Sequence, residues 1–370
     1  MKKIWIPIIV VIIIIIAVAV FYKPASKGTI KIGFIGPLTG KAAALGERAK
    51  NGFLLASEEL KGKGINLEVI IEDDVCLGEN AVSAYRKIVD INGAKIIVGP
   101  VCSTGALAVA PLAEQEKSII ISTGSAAPSL SYAGDYVFRN HPDVKQELTV
   151  LFSYLKENYD YKNVAMVFMK DNDFSVEGEK FFRETLSSNL GMSEIIAEGV
   201  LSESDYRTVI EKLKKQENKI DVIMVDLLID SDLNFLKQAK ELGLTKPIVA
   251  NKVVNNPDFL NNAGELSEGI IFTEVDFDPS INQGFWDRYK IKYGEDPNVF
   301  AAQSYESLML LFDIIENKCK SIKIDCVKDE LYKVKNWQGV TGLLSVDKNG
   351  DFIKNIAVKI IKGGKVIKLK

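Results

Sequence analysis

From Thr29 onward, short apolar runs alternate with longer amphipathic ones. Ile30 to Ile35 reads as a buried strand closed by Gly36-Pro37, and Glu47 to Leu60 then sets Ala49, Phe53, Leu54 and Ala56 at helical spacing. The cycle continues with strand Leu67 to Ile71, helix Glu79 to Ile91, strand Ile96 to Val98, helix Ala106 to Glu116 and strand Ser118 to Ile121. Strands separated by single helices predict parallel βαβ units, and so a doubly wound α/β sheet.

A second series starts near His141-Pro142-Asp143. Helix Asp143 to Glu157, strand Val164 to Met169 and helix Glu177 to Ser188 lead to strand Ser193 to Val200 and helix Tyr206 to Lys215. Strand Val222 to Val225, helix Asp232 to Leu242, strand Pro247 to Ala250 and the apolar run Gly269 to Thr273 complete it. The tail changes character: Phe285 to Tyr293 and Ala301 to Ile315 are helical, whereas Leu343 to Val346 and Ile356 to Ile361 are strands. Asp347-Lys348-Asn349-Gly350 between those strands reads as a hairpin turn, because Asn-Gly tolerates positive φ. The pattern predicts two doubly wound parallel-sheet lobes with the chain crossing between them more than once. Residues 29–140 with about 279–332 are expected in lobe one, and 141–278 with about 333–370 in lobe two.

The amino terminus is of another kind. Lys2 and Lys3 precede an apolar run from Ile4 to Tyr22, ended by Lys23 and Pro24. At about 1.5 Å per residue such a helix reaches across roughly 28 Å, close to a bilayer's hydrocarbon core. Residues 1–28 are therefore expected to be a membrane anchor with its basic flank in the cytoplasm, sending the rest of the chain outside. Ala17-Val18-Ala19 also resembles a signal-peptide cleavage site, and both alternatives give an extracytoplasmic protein. No cysteine stands directly after the run, which argues against a bacterial-type lipid anchor.

Four cysteines suit that compartment. Cys76 and Cys102 each follow a strand, and adjacent strands of one parallel sheet would bring them together. A bridge there closes a loop of some 27 residues, about 3 to 4 kcal/mol in the chain-entropy picture. Cys319 and Cys326 suit a second, smaller loop, and four unpaired buried thiols are the alternative.

Of the 370 residues, 47% are hydrophobic and 26% charged, enough for packed cores, and the net charge of −3 comes from interspersed acids and bases. With no basic run, nucleic acid is not an expected partner, and a single histidine, His141, leaves little for a metal site. Gly36-Pro37-Leu38-Thr39-Gly40-Lys41 fails as a phosphate loop, since Ile35 stands at the first glycine position and Ala42 replaces the magnesium-binding hydroxyl. No dinucleotide fingerprint follows any strand. Cys102-Ser103-Thr104 offers a nucleophile with no neighbouring base. Neither a cofactor nor an enzymatic activity is expected.

What recurs is a polar, glycine-containing turn after a strand: Gly99 to Gly105 before a helix, and Ser122 to Ala126. Ligands of doubly wound folds bind outside the carboxyl ends of strands, and free N–H groups at a helix start suit a carboxylate. Ser103, Thr104, Thr123, Ser125 and Ala126 are thus candidate contacts, with ordinary helix capping by Ser103 as the alternative.

From about Ile30 to its end the chain resembles the periplasmic leucine/isoleucine/valine-binding protein family. The likeness is carried by Gly36-Pro37-Leu38-Thr39-Gly40, Glu72-Asp73-Asp74-Val75-Cys76 and Val98-Gly99-Pro100-Val101-Cys102-Ser103. Ile121-Ser122-Thr123-Gly124-Ser125-Ala126 with Pro128 and Leu130, and Phe138-Arg139 with Asp143, extend it. The resemblance implies a type I periplasmic binding fold, its lobes joined by a multi-strand hinge of about three crossings, and a monomeric ABC-transporter substrate-binding protein. Such a protein carries a branched-chain or other hydrophobic amino acid, or a related small carboxylate, to permease subunits in the membrane. It also implies the Cys76–Cys102 disulfide and a ligand carboxylate held at Ser103. Ser125 and Ala126 stand where the family has an Ala-Thr pair, Phe174 and Leu228 where it has tyrosines, and Lys252 where an acid meets the ligand's ammonium. A lysine cannot neutralise an ammonium. Either Asp226 or Asp230 supplies an acid, or the ligand is a dicarboxylate, an acid without ammonium or an amide; Lys252 facing solvent is the remaining alternative. The competing class is a sensory ectodomain. With only Met1 to Lys3 before the apolar run, that role expects a separate signalling partner.

Overall fold

A computed structural model of the chain describes residues 29–201 and 205–370, with the side chains at 173, 174, 188, 189 and 229 left outside that description. The apolar run at 4–22 lies outside the described residues, and among those described no helix is long and apolar enough to cross a membrane.

The first sheet is wholly parallel. Its strands β1 (Ile30–Gly36), β2 (Leu67–Asp73), β3 (Ile96–Val98), β4 (Ile119–Ser122) and β5 (Val137–Arg139) run in the order β2-β1-β3-β4-β5. Helices α1 (Ala43–Gly62), α2 (Gly78–Arg86) and α3 (Ser103–Glu116) connect them. Central β3 and β4 are buried at every position, which is why they read as unbroken apolar runs rather than alternating ones.

The second sheet contains β6 (Asn163–Met169), β7 (Ser193–Val200), β8 (Val222–Asp226), β9 (Ile248–Ala250) and β10 (Ile271–Val275) in parallel. Its helices are α4 (Val144–Tyr159), α5 (Asp173–Thr185), α6 (Arg207–Lys215), α7 (Ile229–Glu241) and α8 (Pro257–Ala263). Asp143 caps α4, its carboxylate accepting from Gln146 N at 2.7 Å, so the second series starts where a capping residue meets the first apolar turn.

The tail serves both sheets. Helices α9 (Gln283–Tyr293), α10 (Val299–Ile314) and α11 (Ile324–Tyr332) return to the first core, where Phe285, Tyr305, Leu308 and Val327 pack with Phe34 and Phe53. Contact between α10 and α1 is close: a Cβ on Gly52 would stand 1.9 Å from Ala301 O, so only glycine fits.

Two expectations need correction here. The Asn349-Gly350 turn does not join the strands on which it was expected to act. It closes a hairpin between β12 (Gly342–Val346) and β13 (Phe352–Ile353), with β11 (Trp337–Gly339) as the third strand of a small antiparallel sheet. This sheet packs on the first core through Val340, Leu344, Val346 and Phe352. Of residues 333–370, then, only β14 (Ile356–Lys362) and β15 (Lys365–Lys368) join the second sheet, β14 running antiparallel to β10. The apolar face of residues 340–352 matches an open side of the first core, and that burial decides the placement.

The chain passes between the units after β5, after β10 and after β13, and a buried polar network ties these passages. Asn140 Nδ2 donates to Gln303 O at 3.0 Å, Glu306 Oε1 at 3.1 Å and Ser307 Oγ at 2.9 Å. Lys354, from the third passage, forms a fully buried ion pair with Glu306 and donates to Thr341 Oγ1 at 2.7 Å. Arg139 pairs with Asp351 at 2.8 Å, and Asp276 N donates to Asn355 O at 2.8 Å.

A candidate ligand cleft between the two sheets

Where neighbouring connections leave a parallel sheet in opposite directions, a crevice opens at the carboxyl ends of the strands. In the first sheet this lies between β1 and β3, in the second between β6 and β8. The two crevices face each other across a cavity of about 170 Å³. The first unit lines it with Ala42, Leu45, Cys76, Val101, Cys102, Ser103, Thr104, Gly124, Ala126 and Phe300, and the second with Asn172, Leu228, Asn251, Lys252 and Val253. Gly124 is required: a Cβ there would lie 2.8 Å from Val101 O and 3.2 Å from the Phe300 ring.

Both disulfides form, with Cα–Cα separations of 5.5 Å for Cys76–Cys102 and 5.9 Å for Cys319–Cys326. The strands before Cys76 and Cys102 are not adjacent, as the sequence suggested, because β1 runs between them. The bridge instead spans the end of β1, and both of its cysteines line the cavity.

Ser103 is the first residue of α3, not its cap. Cys102 occupies the cap position and supplies no side-chain hydrogen bond, so the first-turn N–H groups face the cleft without a side-chain acceptor. Ser125 Oγ donates to Ser103 Oγ at 3.2 Å, leaving the Ser103 proton for a guest. The Thr104 hydroxyl is already engaged, donating to Cys76 O at 2.8 Å. Thr123 and Ser125 are fully buried behind the wall, and Thr123 Oγ1 accepts from Ser304 Oγ at 3.1 Å. Among the expected contacts, Ser103, Thr104, Ala126, Leu228 and Lys252 line the cavity directly, Leu228 being 41% exposed. Phe174 falls in the first turn of α5, and its side chain lies outside the described residues.

Lys252 does not face solvent. It is 8% exposed, and its Nζ donates to both carboxylate oxygens of Glu147, at 2.8 and 2.9 Å. Burial pushes the Glu147 carboxyl up to about 7 even though the Lys252 charge pulls it down. His141 lies 3.9 Å from Glu147 and bonds Gln303 Oε1 at 2.9 Å; burial first, then Lys252, holds its pKa well below the usual value. Neither acid proposed as a substitute reaches the cavity. Asp226 is buried and accepts from Asn251 Nδ2 at 2.6 Å, with burial raising its pKa to about 6. Asp230 is exposed on α7 and is absent from the described lining.

Sequence reasoning missed Asn172, Asn251 and Phe300. The asparagines carried a legible signal, since each follows a strand end and caps the helical turn after it. Phe300 had none; it arrives on α10 from the tail and stacks on His141 with ring centroids 5.6 Å apart.

Across the rim, Ser129 Oγ donates to Glu177 Oε1 at 2.7 Å, a contact from one unit to the other. Residues 29–365 match the family described as periplasmic binding protein. The chain belongs to the periplasmic binding protein family. Within it, the leucine-, isoleucine-, valine-, threonine- and alanine-binding protein of Pseudomonas aeruginosa is 29% identical over 339 residues, 88% of each chain. The crystal structure of the leucine-binding protein LivK from Thermotoga maritima superposes with a TM-score of 0.83 at 26% identity, over 92% of this chain and 98% of that one. LivJ from Streptococcus pneumoniae, solved with isoleucine, gives 0.81 at 26% identity over 92% and 100%. Relatives of this family are solute-binding proteins of ABC transporters rather than enzymes.

Proposed function

We propose that this chain captures a small carboxylate-bearing solute outside the membrane and delivers it to ABC permease subunits. One observation carries the reading: an uncapped helix start on one unit faces an apolar and amide wall on the other, across a cavity sized for a small organic molecule. The guest's carboxylate meets the first-turn N–H groups of α3 and the Ser103 hydroxyl, where unsatisfied donors and the helix dipole favour an anion. Leu45, Val101, Leu228, Val253 and Phe300 enclose its apolar body. Contacts made only when both walls are present stabilise the closed arrangement, and contacts such as Ser129–Glu177 add to it. The apolar segment at 4–22 tethers a monomer to the membrane. Titration calorimetry with branched-chain amino acids and the corresponding 2-oxo acids tests the reading, with mass spectrometry of the guest afterwards. Saturable binding with return of the unaltered guest is expected; a chemically changed guest refutes it.

A further inference from the structure

The proposed solute site has an asymmetry of donors and acceptors. Among the described residues lining the cleft, the only ionic side chain is Lys252, a cation. Both oxygens of its partner Glu147 are bonded to it, and Glu147 is itself outside the lining. The amides follow the same pattern. Asn172 Oδ1 accepts from Ser175 N at 3.2 Å, and Asn251 Oδ1 accepts from Val253 N at 2.9 Å, so each oxygen already serves a capping turn. Asn251 Nδ2 spans Asp226 Oδ1 and Leu227 O at 2.6 and 2.9 Å, which screens the Asp226 carboxylate from the cavity. On the facing wall the helix start offers N–H groups, and Ser103 offers its proton.

An α-ammonium carries three donors and a positive charge. In this cleft the nearest ionic group is the cationic end of the Lys252–Glu147 pair, and each amide oxygen already accepts one hydrogen bond, so a buried ammonium is short of acceptors there. A guest whose polar atoms are all acceptors has the opposite fit. Building on the solute-capture reading, we infer that the cleft selects a small apolar carboxylic acid with no α-ammonium. A 2-oxo acid with a branched aliphatic body is such a molecule, and Lys252 is the residue that sets the choice. The carboxylate sits at α3, and a second oxygen turns toward Lys252 and the Asn172 amide.

Titration calorimetry of the full-length chain in detergent micelles, using 4-methyl-2-oxopentanoate and L-leucine, compares probes that differ only at the α carbon. The oxo acid is expected to bind about tenfold more tightly or better, the worth of one charge-assisted hydrogen bond. Lys252→Met combined with Glu147→Gln removes both members of the buried ion pair together and is expected to abolish that preference, with the melting temperature reporting that the variant is folded. A folded double variant that keeps the preference removes Lys252 from the inference. L-Leucine binding as tightly as the oxo acid to the unaltered protein overturns the inference and leaves solute capture standing. Failure of both probes and of every standard amino acid overturns solute capture along with it.

Discussion

Replacing Ser103 by alanine deletes one hydroxyl to which the proposed site gives two tasks. Toward the cleft, the proposal has its proton meet a guest carboxylate. Toward the wall, its oxygen accepts from Ser125 Oγ at 3.2 Å. A hydrogen bond to a charged group contributes about 1.5 to 3 kcal/mol, so Ser103→Ala is expected to weaken a carboxylate guest by roughly 10- to 140-fold. The same change strands the fully buried Ser125 hydroxyl, which costs about 1 to 3 kcal/mol of folding stability. Adding Ser125→Ala removes the stranded group, so the double variant is expected to regain most of the stability and none of the affinity. Calorimetric titration with the tightest guest from the oxo-acid and amino-acid panel reads the first effect, and urea unfolding the second. An affinity loss below about threefold, smaller than the weakest such bond, would show that the carboxylate does not sit at the start of α3. Recovery of affinity in the double variant would make Ser103 a packing residue.

Two further tests address the frame around the cleft. Lys354→Met leaves Glu306 buried without its cation and is expected to cost about 3 to 5 kcal/mol by urea unfolding, largely restored by adding Glu306→Gln; a single-variant cost under about 1 kcal/mol would refute a structural role for the pair. Asp74 is fully buried, with Oδ1 accepting from Cys76 N, and burial raises its pKa from 3.8 to about 6. Because the folded value exceeds the unfolded one, its favourable contribution is complete below pH 3.8 and is lost as pH rises toward about 6, a change of up to about 3 kcal/mol. Unfolding of Asp74→Asn at a series of pH values is expected to lack that decline, and an unchanged pH profile would refute the assignment.

Much of the architecture was legible because parallel βαβ units leave strong marks. Strand β7 runs from Ser193 to Val200, as its apolar pattern indicates, and Asp143 announces α4 by capping chemistry. Strands β5, β11, β13 and β15 were missed because they lack the unbroken three-residue apolar run that marks the equally short β3 and β9. The turn at Asn349-Gly350 was plain, but its partner strand was not, since pairing there is decided by which core the strand buries against. At the cleft, strand-end turns brought out Ser103 and Ala126. The environment of Lys252 was hidden because Glu147 lies 105 residues away, and only folding reveals that this charge is matched.

The antiparallel hairpin of β12 and β13 has a consequence for how the molecule is made. Its residues emerge from the ribosome after α4 through β10, yet they complete the core begun by β1. Late in synthesis the early unit is still missing part of its apolar cover, while the middle one lacks only its edge strands. Neither unit is a contiguous stretch of chain, so cutting between them yields two incomplete halves. Both units are completed only when residues 342–370, which hold β12 to β15, have been made.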